Sequence, residues 1–281
     1  MPSSALPAPQ ARSRGFVLQH QAIAAAAVCA WVAAGFALRL SADGYLVLGV
    51  PVLLIFQLGI ARRPLSEVWF PAGTSWRLPG WAWAAAAGFA ALPLHHLWSH
   101  PGARWDVKAW DLCAVLGSIP LAASLPQLNR DRWEWLKLCL ASAGAIGVAF
   151  DLLAFFAQPS AAPAAASARL LAFSQSLVMY VPVSFLLEEV FFRGALDGYL
   201  RRARDDDKAS VFSGALWGFW HLPLIAGRAV PPGLAAALVA IVITDSLVGS
   251  FLGIYRRRSG LLLVPAFTHA LIDAVRNALL R

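Results

Sequence analysis

Nine apolar stretches, each about as long as a membrane span, constrain this chain more than any other feature. A transmembrane helix needs about 20 mostly apolar residues, and within lipid a helix satisfies its own backbone hydrogen bonds. The stretches occupy residues 21–40, 44–61, 81–98, 109–126, 135–157, 169–196, 210–227, 234–255 and 260–279. The sequence therefore predicts an all-α fold, a polytopic transmembrane helical bundle with about eight to nine spans.

The composition agrees with a protein that lies in a membrane. Only 14% of the 281 residues are charged, and 59% are hydrophobic, whereas soluble domains have about 25% charged residues. The net charge of +8 does not require nucleic acid, because basic residues in short cytoplasmic loops give the same value. We therefore expect the lipid bilayer, and no nucleic acid, as a partner.

The basic residues also predict an orientation. With a cytoplasmic N-terminus and a chain that alternates sides, 16 of the 23 Lys and Arg residues fall in cytoplasmic segments, as the positive-inside rule requires. Abundant Ala and Arg with only three Lys indicate a bacterium with a GC-rich genome. We therefore predict a multi-pass protein of the bacterial inner (plasma) membrane.

The chain divides into three parts. Residues 1–15 are predicted to be a disordered N-terminal tail, since they are rich in Pro, Ser and Ala and lack a long apolar run. Residues 16–157 are predicted to form the N-terminal transmembrane helices. An Ala- and Pro-rich loop follows, and residues 169–281 are predicted to form a catalytic transmembrane core.

Ionisable residues in three apolar segments of that core indicate a functional site. They are Glu188, Glu189, Arg193, His221, His269 and Asp273. A charged group in hydrocarbon costs on the order of 2.5–3.5 kcal/mol, so such residues are rare unless they face a polar cavity. In the predicted topology Glu188, His221 and His269 all lie about 12–17 Å from the cytoplasmic boundary, at 1.5 Å per residue. They can therefore meet at one level.

Helical spacing separates the two glutamates. Adjacent side chains point about 100° apart on a helix, so we expect only one of the two to reach fully into a narrow cavity. Glu189 and Arg193 are at i, i+4 and are predicted to form an ion pair, with Arg193 also able to extend towards the nearby cytoplasmic surface. Glu188 has Phe192 at i+4 and no cation, which favours it as a general base.

Three chemistries remain open on the residues alone. A carboxylate and two imidazoles around a water can run hydrolysis. The same groups can ligate zinc, but the sequence has no H-E-x-x-H motif to support it, so zinc stays an alternative that is not favoured and no other cofactor is predicted. Intramembrane Glu and His also occur in proton-coupled transporters. We interpret Asp151 and Asp245, which lie within other spans, as helix-packing residues.

Three motifs in this order resemble those of the CPBP family, which comprises CAAX prenyl protease type 2 and bacteriocin-processing enzymes, also called Abi proteins. They are EEVFFR at 188–193, W-x-x-x-H at 217–221 and H-x-x-x-D at 269–273. The resemblance covers roughly residues 170–280. It implies an all-helical, metal-free glutamic-type intramembrane endopeptidase that acts through water.

The resemblance also implies roles for the individual residues. Glu188 matches the catalytic glutamate, and Glu189 and Arg193 match its motif partners. His221 matches the water-positioning histidine, while His269 and Asp273 match the pair on the oxyanion side.

The predicted substrate is a membrane-anchored peptide or protein, because CAAX prenylation is not expected in such a bacterium. Two alternatives remain within the same fold. One is a non-catalytic immunity or scaffold protein, and the other is a zinc-dependent version of the protease.

Overall fold

A computed structural model of the protein describes residues 13–70, 78–157, 165–226 and 234–280. These ranges are largely helical and contain no β-strand, so the predicted all-α fold is confirmed. The first helix begins at Arg14, within the predicted N-terminal tail. Residues 1–12 of that tail, and most of the predicted loop after residue 157, lie outside the described residues.

The helices follow one another with short connections. The α-helices of the described ranges are α1 (Arg14–Ala37), α2 (Ala42–Val47), α3 (Gly49–Leu54), α4 (Ser66–Trp69), α5 (Gly80–Ser99), α6 (Trp105–Ser124), α7 (Arg130–Cys139), α8 (Ala145–Phe156), α9 (Ala166–Leu187), α10 (Asp197–Leu200), α11 (Asp207–Trp220), α12 (Leu222–Ala226), α13 (Leu234–Ser259) and α14 (Leu263–Leu280). Wider π-helical turns occupy Ile55–Ile60, Leu140–Gly144 and Val190–Leu196, and a 3-10 turn occupies Leu125–Gln127.

Six helical segments in the described ranges are long and apolar enough to cross a membrane, so the chain is a multi-pass membrane protein. They are Arg14–Ala37, Ala42–Ile60, Trp105–Gln127, Arg130–Phe156, Ala166–Leu200 and Val239–Ser259. The other three predicted spans are helical but shorter or less apolar, and they correspond to α5, α11 with α12, and α14. These helices pack against the spanning ones: α5 against α6, α11 against α13, and α14 against α9.

Two glycines bring α11 unusually close to α13. A Cβ on Gly214 would lie 2.4 Å from the backbone nitrogen of Ser250, and one on Gly218 would lie 2.2 Å from Oγ of Ser246. No side chain fits at either position, and small residues of this kind let membrane helices approach backbone to backbone. The contact fixes the face of α11 that carries Trp217.

An aromatic cluster joins the N-terminal helices to the C-terminal core. The buried indole of Trp31 packs against Phe191 and Trp220, with ring centroids 5.2 and 5.1 Å away. Its Nε1 donates to the carbonyl of Tyr45 at 3.2 Å, and the Tyr45 hydroxyl donates to the carbonyl of Trp220 at 2.9 Å. The first two spans therefore contact the π-helical turn that follows Glu189 and the end of α11, next to His221.

Two polar cavities lie at opposite ends of the second spanning segment. Asp43 near its start lines a cavity of about 460 Å³, and Gln57 near its end lines another of about 500 Å³. Gln57 follows Asp43 by fourteen positions, which corresponds to roughly 20 Å along a helix. The bundle thus has a separate cavity near each end of the second spanning segment.

Candidate active site

The regular helix α9 ends immediately before the two glutamates. Glu188 has φ −106° and ψ −56°, and the chain continues as the π-helical turn Val190–Leu196, whereas the sequence predicted an unbroken helix. Wide turns of this type often occur at functional sites. The two glutamates nevertheless approach one imidazole from different sides, Glu188 at Nε2 and Glu189 at Nδ1 of His269. Both carboxylates lie within 4 Å of the His269 ring.

Both oxygens of Glu189 are engaged by other charged or polar groups. Oε1 lies 2.9 Å from Nδ1 of His269, and Oε2 lies 3.4 Å from Nε of Arg193. The Glu189 side chain is 0% exposed. The i, i+4 ion pair predicted from the sequence is therefore present in the structure, although Oε2 of Glu189 accepts no hydrogen bond from the described residues.

Arg193 remains inside the protein. Its guanidinium lies 4.5 Å from the centroid of the Trp217 ring, and Nη2 donates to the carbonyl of Gly249 at 3.4 Å. Only 3% of the residue is exposed, so the expectation that it extends to the membrane surface is wrong. The attraction of the Trp217 ring for a cation and the carboxylate of Glu189 hold it instead.

Glu188 is the less constrained of the two glutamates. Oε2 accepts a hydrogen bond from Nε1 of Trp217 at 3.2 Å and lies 3.9 Å from Nε2 of His269. No described residue donates a hydrogen bond to Oε1. Glu188 is buried but 6% exposed, against 0% for Glu189, so one of its oxygens can accept a proton from water.

Trp217 lies at the centre of the site. Its ring centroid is 4.7 Å from that of His221 and 5.1 Å from that of His269, and both contacts are edge to face. It also donates to Glu188 and contacts Arg193, as described above. Sequence reasoning treated Trp217 only as the aromatic position of a motif. Its i, i+4 spacing to His221 was the available signal for a direct role.

His221 occupies the C-terminal end of α11, where its ring is held by one nitrogen. Nδ1 lies 2.9 Å from the carbonyl oxygen of Trp217 and 3.3 Å from Oδ2 of Asp245. Because both neighbours are acceptors, the proton belongs on Nδ1 and Nε2 is left as an acceptor. Asp245 thus contacts the imidazole from α13, which agrees with the predicted packing role and also places its carboxylate next to the site.

The side of the site formed by His221 and Asp245 is its most accessible part. Their side chains are 16% and 23% exposed, whereas the side chains of Glu188, Glu189 and His269 are 0–9% exposed. Water and substrate can therefore reach the buried carboxylates from the direction of His221.

Asp273 bridges His269 and an arginine that sequence reasoning missed. Its Oδ2 lies 3.5 Å from Nε2 of His269, and its Oδ1 lies 2.6 Å from Nη2 of Arg276. Arg276 follows Asp273 by three residues, a spacing that favours ion pairs on helices. With one oxygen towards Arg276 and the other towards His269, Asp273 can act on an oxyanion through His269.

The described residues do not fit a zinc site. Zinc in proteins takes three or four His, Cys, Asp or Glu ligands, each at about 2.0–2.3 Å. No group of three such residues among those described is arranged to hold a metal ion.

Comparison with known proteins gives one match. Residues 170–275 match the family described as Rce1-like, type II CAAX prenyl endopeptidase. No curated protein and no solved structure matches the chain. The matched range contains all six ionisable residues predicted for the site, together with Trp217 and Asp245, and ends just before Arg276.

Proposed function

We propose that the protein is an intramembrane endopeptidase, because residues 170–275 match the family described as Rce1-like, type II CAAX prenyl endopeptidase. It hydrolyses a peptide bond in a membrane-anchored peptide or protein with a water that Glu188 activates. The observation that carries this proposal is the buried carboxylate of Glu188, which is held by the Trp217 indole at one oxygen and is free of described partners at the other.

In the proposed first step, Oε1 of Glu188 takes a proton from water as the water oxygen attacks the carbonyl carbon of the scissile bond. Nε2 of His221 accepts the second hydrogen of the same water and so fixes its position. Trp217 keeps the carboxylate in place, because its indole N–H can only donate.

The developing oxyanion is stabilised on the opposite side of the site. In this proposal Nε2 of His269, which lies 3.9 Å from Glu188 and 3.5 Å from Asp273, carries a proton and donates a hydrogen bond to the oxyanion when the substrate carbonyl enters. Groups that are already oriented act strongly on developing charge in a site that excludes water. Glu189 holds Nδ1 of the same ring, and Asp273 and Arg276 complete its surroundings.

The second step breaks the carbon–nitrogen bond. Glu188 returns the proton that it took from water to the departing amine nitrogen, and the oxyanion collapses to a carboxylic acid. Atoms and charge therefore balance with water as the only co-reactant, and no covalent enzyme intermediate forms.

The membrane location supports a membrane-anchored substrate. The reacting groups lie on helices of a multi-pass bundle, and access runs past the partly exposed side chains of His221 and Asp245. We propose the inner membrane of a bacterium with a cytoplasmic N-terminus. The arginines that follow the second, sixth and eighth of the nine apolar stretches lie together around one cavity, which supports a common side for these ends.

The function is tested by comparing the termini of membrane proteins in cells that produce the wild-type chain or Glu188→Gln. We expect at least one membrane protein with a new terminus in wild-type cells alone. Glu134→Gln is the matched control, because Glu134 is exposed and pairs only with Lys137, and it should cleave like the wild type. Identical termini in all three cell types would overturn the proposal and favour the immunity or scaffold alternative.

A further inference from the structure

The cavity of about 500 Å³ near Gln57 is strongly basic. Its arginines come from the turn after the second apolar segment, from the π-helical turn, from the connection after α10 and from the end of α13. They are Arg63, Arg193, Arg201, Arg202, Arg256 and Arg257. Only two acidic residues, Glu67 and Asp205, line the same cavity among the described residues.

The acids do not neutralise this set of arginines. Glu67 is paired with Arg63 at 3.1 Å, and Asp205 lies 3.5 Å from Nε of Arg201. Arg257 is paired with Asp207, and Arg193 with Glu189. Within the part of the chain that the structure describes, Arg202 and Arg256 form no ion pair with a carboxylate.

Arg256 is the clearest unpaired charge. It is only 9% exposed, it lines the cavity, and its Nε has no hydrogen-bond partner among the described residues. A charge that is removed from water without a partner is strongly unfavourable. The buried carboxylate of Asp197 also attracts Arg256, but it forms no ion pair with Arg256 and does not line the cavity. The cavity side of the guanidinium is therefore left for another anion.

Arg202 lies beside the same space and is satisfied only in part. Its Nη2 donates to the carbonyl of Ala61 at 2.9 Å, and its guanidinium lies 5.8 Å from the centroid of the Tyr199 ring. Burial, and then the positive charge of Arg63, lower the pKa of Arg202. The guanidinium groups thus repel one another across the cavity, and a bound anion relieves that repulsion.

We propose that this cavity binds a phosphate group, carried either by an anionic phospholipid or by a soluble phosphate compound. A guanidinium presents a planar fork of donors that matches phosphate oxygens, and several forks face one space here. Basic pockets between transmembrane helices at the cytoplasmic side bind phospholipid head groups. The ends of three apolar segments meet at this cavity, which places it at such a boundary.

The site is also connected to the proposed catalytic residues. Arg193 lines the cavity and pairs with Glu189, which in turn holds His269. The ligand and the glutamate pair therefore share one guanidinium. The binding proposal itself does not depend on proteolysis, and it is tested without an activity measurement.

The test is a thermal-unfolding titration of the purified full chain in detergent. The probes are a phosphatidylglycerol, the corresponding phosphatidylcholine, glycerol 3-phosphate and inorganic phosphate. We expect a saturable rise of the unfolding midpoint with phosphatidylglycerol and none with phosphatidylcholine. Saturation by glycerol 3-phosphate or inorganic phosphate at equal concentrations identifies a soluble ligand, and saturation by phosphatidylglycerol alone identifies a lipid head group.

Single arginine variants locate the binding. Arg202→Gln and Arg256→Gln should each raise the apparent Kd about tenfold, since each removes a charge-assisted hydrogen-bonding group. Arg130→Gln is the matched control, because Arg130 is exposed and does not line the cavity, and it should bind like the wild type. If Arg256→Gln does not fold, Arg63→Gln takes its place.

Two results would overturn the proposal. One is the absence of a saturable shift with all three anionic probes, phosphatidylglycerol, glycerol 3-phosphate and inorganic phosphate. The other is an equal loss of binding in Arg130→Gln and in the cavity variants, because that outcome indicates attraction to net charge and not a built site.

Discussion

Nδ1 of His269 lies 2.9 Å from Oε1 of Glu189, although the two residues are 80 positions apart in the chain. This contact gives the second glutamate of the pair a defined task. It holds one nitrogen of the imidazole and leaves the other, Nε2, facing Glu188 and Asp273. Glu189 is thus a positioning residue, and Glu188 remains the carboxylate that can act on water.

The first prediction concerns the pair of Glu189 and Arg193. Glu189→Gln should reduce the free energy of unfolding by roughly 3–5 kcal/mol, because it leaves a buried arginine without its counter-ion. Arg193→Met in the same chain should recover part of that loss. Activity should stay low in the double variant, since His269 still lacks its carboxylate partner.

Denaturation of the single and double variants in detergent measures the coupling between Glu189 and Arg193. The control pair is Glu134→Gln with Lys137→Met, an exposed ion pair that should show coupling close to zero. Equal, additive losses at Glu189 and Arg193 would contradict the account of a mutually dependent buried pair.

The second prediction concerns Asp245. Asp245→Asn should lower kcat about 10- to 100-fold, the usual cost of removing a carboxylate that orients a histidine, with a smaller change in KM. Asp111→Asn is the matched control, because Asp111 contacts His96 at 2.6 Å in the other cavity. Steady-state kinetics on a cleaved peptide compare the two. If Asp111→Asn lost as much kcat as Asp245→Asn, the losses would reflect general damage to the helical bundle, and the predicted role of Asp245 would be contradicted.

The local features of this site were predictable, and the long-range ones were not. The ion pair of Glu189 and Arg193 follows from i, i+4 spacing alone, and the apolar runs predict a helical bundle. The contact between His221 and Asp245 joins two helices, so no spacing rule identifies it. The π-helical turn after Glu189 also escaped prediction, because its sequence is compatible with a regular α-helix.

Burial explains why Arg193 does not extend to the membrane surface, which the sequence had suggested. From the sequence, an arginine three residues before the end of an apolar segment is able to reach the interface. In the fold, the ring of Trp217 and the carbonyl of Gly249 surround its guanidinium. Both partners come from other helices, so their positions depend on the tertiary packing of α11 and α13.

The third prediction concerns orientation. Reporter fusions at Arg204 should give a cytoplasmic signal, because Arg204 belongs to the basic set that the positive-inside rule places inside. Fusions at Ala103, in the connection between α5 and α6, should give the opposite signal. The same signal at both positions would contradict the alternating topology.

The fourth prediction concerns metal. Exhaustive chelation of the purified protein should leave cleavage of the peptide unchanged, and elemental analysis should find far less than one zinc per chain. This follows from Glu188 and His221 acting on water directly. The zinc-dependent alternative would be established by one zinc per chain that chelation removes together with activity, if added zinc then restores the activity.

The most direct test of the account compares Glu188→Gln with Glu189→Gln in single-turnover cleavage by purified protein, with thermal unfolding measured on the same samples. Glutamine keeps the size and hydrogen bonding of Glu188 but removes the base, so the account predicts a rate loss of about 10²–10⁴-fold with an unfolding midpoint near that of the wild type. A folded Glu188→Gln protein that still cleaves, beside a folded but inactive Glu189→Gln protein, would contradict it.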